Sequence, residues 1–274
     1  MVRAFFLFCS RGGNTVTAKV AGMALRIDIL TTFPEMFGSE PGCAMNVSIP
    51  GRARAAGAVE WHARNIREFA TDKHQKTDDR PFGGGPGMVM MCQPLFDAVS
   101  AAEAEDPRPA TRILLTPQGI ALSQKLVEHL ATLPRLLLIA GHYEGIDERV
   151  IEKLAPLEIS VGDYVLSGGE LGAMILIDAV TRLLPGVLGD ALSAHQDSFG
   201  TVEPVGKLKP PAERLLDCPH YTKPREWDGR SVPDVLLSGN HLEIAKWRLN
   251  QRIARTQARR PDLLPPVQGP SEST

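Results

Sequence analysis

The groups in this 274-residue sequence that could do chemistry gather around glycine rather than around cysteine or histidine. Gly141-His142-Tyr143-Glu144-Gly145-Ile146-Asp147 and Val161-Gly162-Asp163-Tyr164-Val165-Leu166-Ser167-Gly168-Gly169-Glu170 each set carboxylates among glycines, and Leu115-Thr116-Pro117-Gln118-Gly119 lies upstream of both. Glycine tolerates positive φ and lets a ligand approach the main chain, whose N–H and C=O groups can read an adenine edge without a charged side chain. Arg80–Met88, with four glycines, is too glycine-dense for a helix or strand. It reads equally as a structural turn or a binding loop. None of these stretches carries Gly-Lys-Ser/Thr or the GxGxxG spacing, which argues against a triphosphate cradle. The four cysteines (Cys9, Cys43, Cys92, Cys218) form no CxxC pair and no zinc-spaced cluster with histidine, a usage compatible with a reducing cytoplasm.

Loops of this kind act only if strands hold their ends. Leu25–Thr31 alternates like a strand, and Arg112–Thr116, Arg135–Gly141 and Ile159–Leu166 are short apolar runs suited to strands covered on both faces. Helices are predicted over Gln93–Ala104, Ser123–Thr132, Asp147–Leu154 and Glu170–Leu184, so the fold class is α/β with a parallel sheet. The glycine stretches then leave successive strand ends, where α/β proteins place ligands. Pro185–Pro211 has no sustained period and reads as a mobile linker. Residues 207–262 hold 12 Lys+Arg against 7 Asp+Glu, a local excess of +5. There Leu242, Ala245, Leu249 and Ile253 recur at helical spacing as a packing face. Arg248, Arg252, Arg255 and Arg259 form a separate basic stripe, readable as a solvated face or a phosphate-binding one.

Composition narrows the classes. The chain is 43% hydrophobic and 23% charged with a formal charge of −2, which excludes global disorder and a uniformly cationic nucleic-acid binder. No apolar run approaches the ~20 residues of a membrane span. Residues 1–22 carry Arg3, Arg11 and Lys19 without an acid, which faintly resembles an organellar transit peptide; the preferred reading is an upstream extension or mis-assigned start, with Met23 the natural beginning.

Taken in order, Phe33-Pro34-Glu35-Met36-Phe37, Pro81–Met91, Leu115–Gly119, Gly141–Arg149, Val161–Gly172, Pro219–Pro224, Leu236–His241 and Trp247-Arg248 resemble the bacterial tRNA (guanine-N1)-methyltransferases of the SPOUT superfamily. The likeness runs from about Met23 to Leu264. It implies a deep trefoil knot in the parallel-sheet domain, a smaller α-helical C-terminal domain, S-adenosylmethionine as methyl donor, and a cytoplasmic homodimer with active sites at the subunit interface. It also implies magnesium, at a site the sequence does not locate. The substrate would be tRNA with a guanosine immediately 3′ of the anticodon, preceded by another guanosine. The implied organisation is an extension over 1–22, the knotted cofactor domain over 23–187, a flexible linker over 188–213, a helical tRNA-binding domain over 214–264 and a tail over 265–274.

Carried over by motif, the resemblance implies a cofactor site from Leu115, Gly141, Tyr143, Val161, Gly162, Asp163, Tyr164, Val165, Leu166, Gly168 and Gly169. It makes Asp197 the general base, Arg182 its cationic companion, Glu144 a supporting acid and Asp217 a second acid that helps place the base. The side-chain types suit the reaction. Guanine N1 carries a proton and is a poor nucleophile until a carboxylate removes it, and a guanidinium can hold the charge that reaches O6. Without the resemblance, Asp197 would read as solvated surface and Arg182 as a surface cation. His142 and His220 read as structural or base-positioning, and Trp61, Trp227 and Trp247 as packing residues. The chain departs from the pattern in an apparent insertion at Val202–Pro211 and in Lys223, where an arginine is common.

Overall fold

The computed structural model describes residues 24–38, 43–189 and 196–266. The expected extension over 1–22 and the tail from 267 lie outside the described residues. Five parallel strands form one sheet in the order β2-β1-β6-β5-β7. They are β1 (Leu25–Thr31), β2 (Val59–Asn65), β5 (Thr111–Ala121), β6 (Arg135–Ala140) and β7 (Leu157–Ser160). Two short strands, β3 (Asp78–Asp79) and β4 (Val89–Met90), pair separately. The helices of this region are α1 (Ser48–Ala55), α2 (Cys92–Ala104), α3 (Gln124–Leu130), α4 (Glu148–Leu154) and α5 (Glu170–Thr181).

The continuous apolar runs follow from burial on both faces. Ile27, Ile29, Leu136, Leu138 and Ile113 point to one side and pack with Leu176, Ile177 and Val180 of α5. Leu30, Leu137, Ile139 and Leu114 point to the other and meet Leu95 and Val99 of α2 and Val150 of α4. Every residue of β1 and β6 is buried, including the polar Arg26, Asp28 and Arg135. At the N-terminal end of the sheet Asp28 pairs with both arginines, and Glu105 and Asp106 add the further negative charge that Arg26 faces. The Asp28 carboxylate accepts from Arg135 Nε at 2.7 Å and Arg26 Nη2 at 2.8 Å. Asp106, whose main-chain carbonyl accepts from Arg135 at 2.7 Å, is held well below the usual carboxyl range by Arg108.

The strand expected over Ile159–Leu166 occupies only Leu157–Ser160, because Gly162 takes φ 156° and turns the chain out of the sheet. β5 extends further than expected, but Leu115 and Ile120 both face Ile159. Thr116–Gly119 is thus an excursion, and a side chain at Gly119 would sit 2.4 Å from the Ile159 backbone nitrogen.

Beyond α5, the described part of the expected linker folds back on itself. The Phe199 N–H donates to Leu215 O and the Val202 N–H to Glu213 O, at 2.9 Å each. A two-stranded hairpin, β8 (Glu226–Trp227) and β9 (Arg230–Ser231), precedes α6 (Asp234–Leu237) and α7 (His241–Arg259). Arg214 ties this segment to α3 through Glu128 at 2.7 and 2.8 Å. On α7, Leu249 is buried as its spacing implies, whereas Leu242 is half exposed. Trp61 is buried and Trp247 partly so, but Trp227, on the small exposed β8–β9 hairpin, is 69% exposed.

Candidate active site

The carboxyl ends of β5, β6 and β7 open into a cleft of about 310 Å³. β6 ends at Ala140, and the Gly169 N–H donates to Gly141 O at 2.8 Å, so the loop entering α5 is stitched to the loop leaving β6. Glycine is required here: a Cβ at Gly169 would lie 2.7 Å from Ala140 Cα, and one at Gly168 2.2 Å from His142 Nε2. The glycine-dense stretch before β4 braces the same loop from behind. Glu144 N–H donates to Met88 O at 3.0 Å and Met90 N–H to Gly145 O at 2.9 Å. Its turns take positive φ at Gly83, Gly84, Gly85 and Gly87, and a Cβ at Gly87 would strike Glu144.

The wall is apolar (Leu115, Ile146, Ile159, Val161, Leu166), and its ionisable groups are Glu144, Glu148, Glu158, His142 and two tyrosines. Among the described residues no lysine or arginine lines it. That charge pattern suits a nucleoside carrying positive charge and repels a polyphosphate. Backbone amides and carbonyls brought within reach by glycine, beside carboxylates, fit S-adenosylmethionine. Ten of the eleven residues expected to hold it line the cleft: Leu115, Gly141, Tyr143, Val161, Gly162, Tyr164, Val165, Leu166, Gly168 and Gly169. Asp163 is exposed and outside the lining. Tyr143 holds φ 63°, with its hydroxyl accepting from Arg67 Nη2 at 3.2 Å, and Tyr164 donates to Val161 O at 3.2 Å.

One bracing contact escaped sequence reasoning. Glu170 is 2% exposed; its Oε1 accepts from Thr31 Oγ1 at 2.6 Å and its Oε2 lies 3.0 Å from His142 Nε2. The His142 ring also rests against Phe33, centroids 4.9 Å apart. Three segments distant in sequence thus meet on one buried carboxylate. The only sequence signal was an acid at the first residue of an apolar helix.

Glu144 sits in the cleft, but the other expected catalytic groups do not. Arg182 caps the far end of α5 and pairs with Asp197 at 2.5 Å. Asp197 is held from behind: its main-chain oxygen accepts from Arg252 at 3.1 Å, and Arg252 also donates to Leu216 O at 3.2 Å. One arginine of the basic stripe is therefore spent on positioning. Asp217 N–H donates to Ser198 Oγ at 3.0 Å, and its Oδ2 lies 2.8 Å from His220 Nε2. Burial opposes ionisation of Asp217, yet bonding from His220 and the Cys218 N–H, with the charge of Arg252, holds its carboxyl below the ordinary value.

Asp217, Cys218 and His220 present potential ligand atoms within 4.8 Å of one another. The set offers oxygen, sulfur and nitrogen, whereas magnesium takes oxygen ligands in an octahedron. These residues do not fit magnesium.

Comparison with known proteins matches residues 25–266 to the family model described as tRNA (Guanine-1)-methyltransferase TrmD. A tRNA (guanine-N(1)-)-methyltransferase of Chloroflexus aurantiacus is 53% identical over 240 residues, covering 88% of each chain. The proteins of that name from Shewanella piezotolerans and Methylococcus capsulatus are each 51% identical, over 87% and 88% of this chain and 90% and 89% of their own. With the match running from the first strand of the sheet to the end of α7 and beyond, the chain belongs to the tRNA (guanine-N1)-methyltransferase family.

Proposed function

We propose that this protein transfers a methyl group from S-adenosylmethionine to N1 of the guanosine immediately 3′ of the anticodon in tRNA, working in the cytoplasm as a homodimer. The observation that carries the reading is the cleft itself, walled by glycine-exposed backbone and carboxylates with no lysine or arginine among the described lining residues. The names of the relatives supply the base and the atom.

A distance supports the dimer. The cleft lies at the start of α5 and the Arg182–Asp197 pair at its end, and 12 helical residues span about 18 Å. Reacting atoms must approach to ~3–3.5 Å. No arginine or aspartate side chain crosses that gap, which favours an arrangement in which the pair of one protomer serves the cleft of the other. Leu171 and Ile175, one turn apart on α5 and 50% and 46% exposed, supply an apolar face between them for a partner copy. The reading includes the deep trefoil knot that the family resemblance implies, in a region where Gly119 lies close to β7 and Gly169 close to β6.

Bound S-adenosylmethionine supplies an electrophilic methyl whose leaving group is a neutral thioether. The protein's residues prepare the nucleophile. Asp197 accepts the N1 proton, general-base help worth ~10²–10⁴-fold. Electron density released at N1 spreads to O6, where the Arg182 guanidinium stabilises it by a charge-assisted hydrogen bond. Asp217, kept ionised and braced by His220, accepts hydrogen bonds from the guanine edge and fixes its orientation. Glu144 places negative charge beside the cationic donor.

The test uses labelled S-adenosylmethionine with tRNA transcripts carrying guanosine or adenosine 3′ of the anticodon. Label should enter only the guanosine transcript and fall by ~10²-fold or more in Asp197→Asn. Transfer to neither transcript, with tRNA still bound, refutes the reading.

A further inference from the structure

The chain between Asp197 and Asp217 is built, not slack. Its bonds from Phe199 to Leu215 and from Val202 to Glu213 are rungs of one ladder, and Thr201 pairs antiparallel with Arg214 between them. Val205 and Leu208 close the far end, each N–H donating to the other's carbonyl at 2.9 and 3.1 Å, across a turn in which Gly206 takes φ 61°. Residues 199–215 therefore run out and back as an arm that contains the whole Val202–Pro211 insertion. Its two ends deliver Asp197 and Asp217 to one place, where the Asp217 N–H donates to Ser198 Oγ at 3.0 Å.

A lone two-stranded ribbon is marginal in water. No residue from 201 to 214 is buried, so apolar packing along the arm does not hold it. Its root does. Leu215 is buried, and Arg214 Nη1 donates to Phe199 O at 2.6 Å, joining the two sides. The same guanidinium grips both oxygens of Glu128 at 2.8 and 2.7 Å. Glu128 stands on α3, whose Val127 and Leu130 are buried in the core with α5. Exposed ion pairs usually contribute little, but a two-pronged arginine fork with a third acceptor is the geometry that departs from that rule. Phe199 holds φ 67°, a left-handed conformation that a phenylalanine keeps only where its surroundings enforce it. Leu215 O and Arg214 engage both of its main-chain groups, two residues from Asp197.

We infer that Arg214 and Glu128 are positioning residues for methyl transfer. They fix the root of the arm to the sheet domain, so that Asp197 and Asp217 stand together before RNA arrives. The inference rests on the roles proposed for those two acids. It adds that the described part of the expected linker is organised by this chain's own side chains, so RNA binding does not bear the cost of ordering it.

Hydrogen exchange and single-turnover kinetics test this on the full-length protein. Without RNA, wild-type peptides covering 199–215 should exchange slowly, and Glu128→Gln should speed their exchange. With donor and tRNA both saturating, Glu128→Gln should slow transfer about 10-fold and Arg214→Ala up to about 100-fold, as a misplacement of about 1 Å does. The KM for S-adenosylmethionine and the melting temperature should stay at wild-type values. Arg214→Lys should fall between, because one ammonium cannot reproduce the planar fork. Glu128→Gln removes negative charge, so an effect on RNA attraction alone would tighten binding and leave the rate intact. Equal rates for wild type and Glu128→Gln overturn the inference, as does a wild-type arm that exchanges like an unstructured peptide without RNA. A Glu128→Gln protein that melts lower and loses donor KM together with rate is missing a structural brace, and overturns the positioning role. If wild-type protein binds tRNA without methylating it, the enzymatic reading fails, while exchange in the RNA-free protein still decides whether the arm is preformed.

Discussion

Mixed dimers test the geometry of α5 directly. Gly141→Val places a branched side chain on the cleft floor, where even a Cβ lies 3.2 Å from Ile146 Cδ1, and should block donor binding. Asp197→Asn keeps the pair's shape and removes the base. Each homodimer should be nearly inactive. Co-expressed with distinct tags, random pairing yields half heterodimers. Because about 18 Å of helix separates the cleft from the Arg182–Asp197 pair, each heterodimer holds one site with both defects and one with neither. The mixture should recover about one quarter of wild-type kcat, and tag-purified heterodimer about one half. Sites contained within single chains would recover nothing, since every site would then carry one lesion. A purified heterodimer that sediments as a dimer, melts like wild type and remains dead refutes the shared-site reasoning. Thermal melting of each homodimer separates a blocked cleft from a broken fold.

Three further outcomes follow from contacts already described. Glu170→Gln retains a partner for Thr31 but removes the carboxylate facing His142, so the KM for S-adenosylmethionine should rise several-fold with a smaller change in kcat. Asp28→Asn leaves Arg135 fully buried with its charge uncompensated; calorimetry should show a loss of about 3–5 kcal/mol, with donor KM unaltered in whatever folds. Asp147 caps α4 by accepting from the Arg149 N–H at 3.0 Å, so Asp147→Ala should cost about 1 kcal/mol. Hydrogen bonding by Arg149 holds that carboxyl far below its usual range. A depressed folded value means the stabilisation is fully present above the unfolded value near ~3.9 and lost as pH falls through the folded one. The variant's deficit in urea melts should therefore be constant from pH 7 to about pH 5 and shrink only in stronger acid.

The sheet was legible in the sequence where burial on both faces forces unbroken apolar runs. β1 was foreseen over Leu25–Thr31, β6 to within a residue, and α2 nearly to its ends. Edge strand β2 was not foreseen, because Val59-Glu60-Trp61-His62 alternates too briefly to stand out from its polar surroundings. β7 was drawn too long because Val161–Leu166 is apolar by composition; those side chains line the cleft and the exposed loop instead of the core. Glycine marked the cleft at the carboxyl ends of β5, β6 and β7, since close backbone approach demands it. The Asp197, Arg182 and Asp217 assignments came only through resemblance to a family. Arg252 is brought to Asp197 and Ser198 to Asp217 by folding over 55 and 19 residues, which no local pattern encodes; only His220, three residues from Asp217, is a local partner.

The overall charge of −2 conceals two surfaces of opposite sign. The cleft at the carboxyl ends of β5, β6 and β7 carries acids, and the hollow between residues 219–225 and α7 carries cations; among the described residues no lysine or arginine lines the first and no carboxylate the second. A cationic donor and a polyanionic acceptor would compete for a single mixed site; separate sites let each be attracted to its own. The two should then respond differently to salt. Contacts to RNA phosphates release counterions, so the KM for tRNA should climb steeply with ionic strength, about 0.7–0.9 in log–log slope per contact. On the proposed reading the donor binds among main-chain groups in a partly enclosed cleft where screening is weaker, and its KM should barely move. Steady-state kinetics between 50 and 200 mM salt give both slopes from one preparation. Equal slopes would mean that donor and acceptor share one electrostatic surface, and the separation of the two hollows would lose its functional meaning.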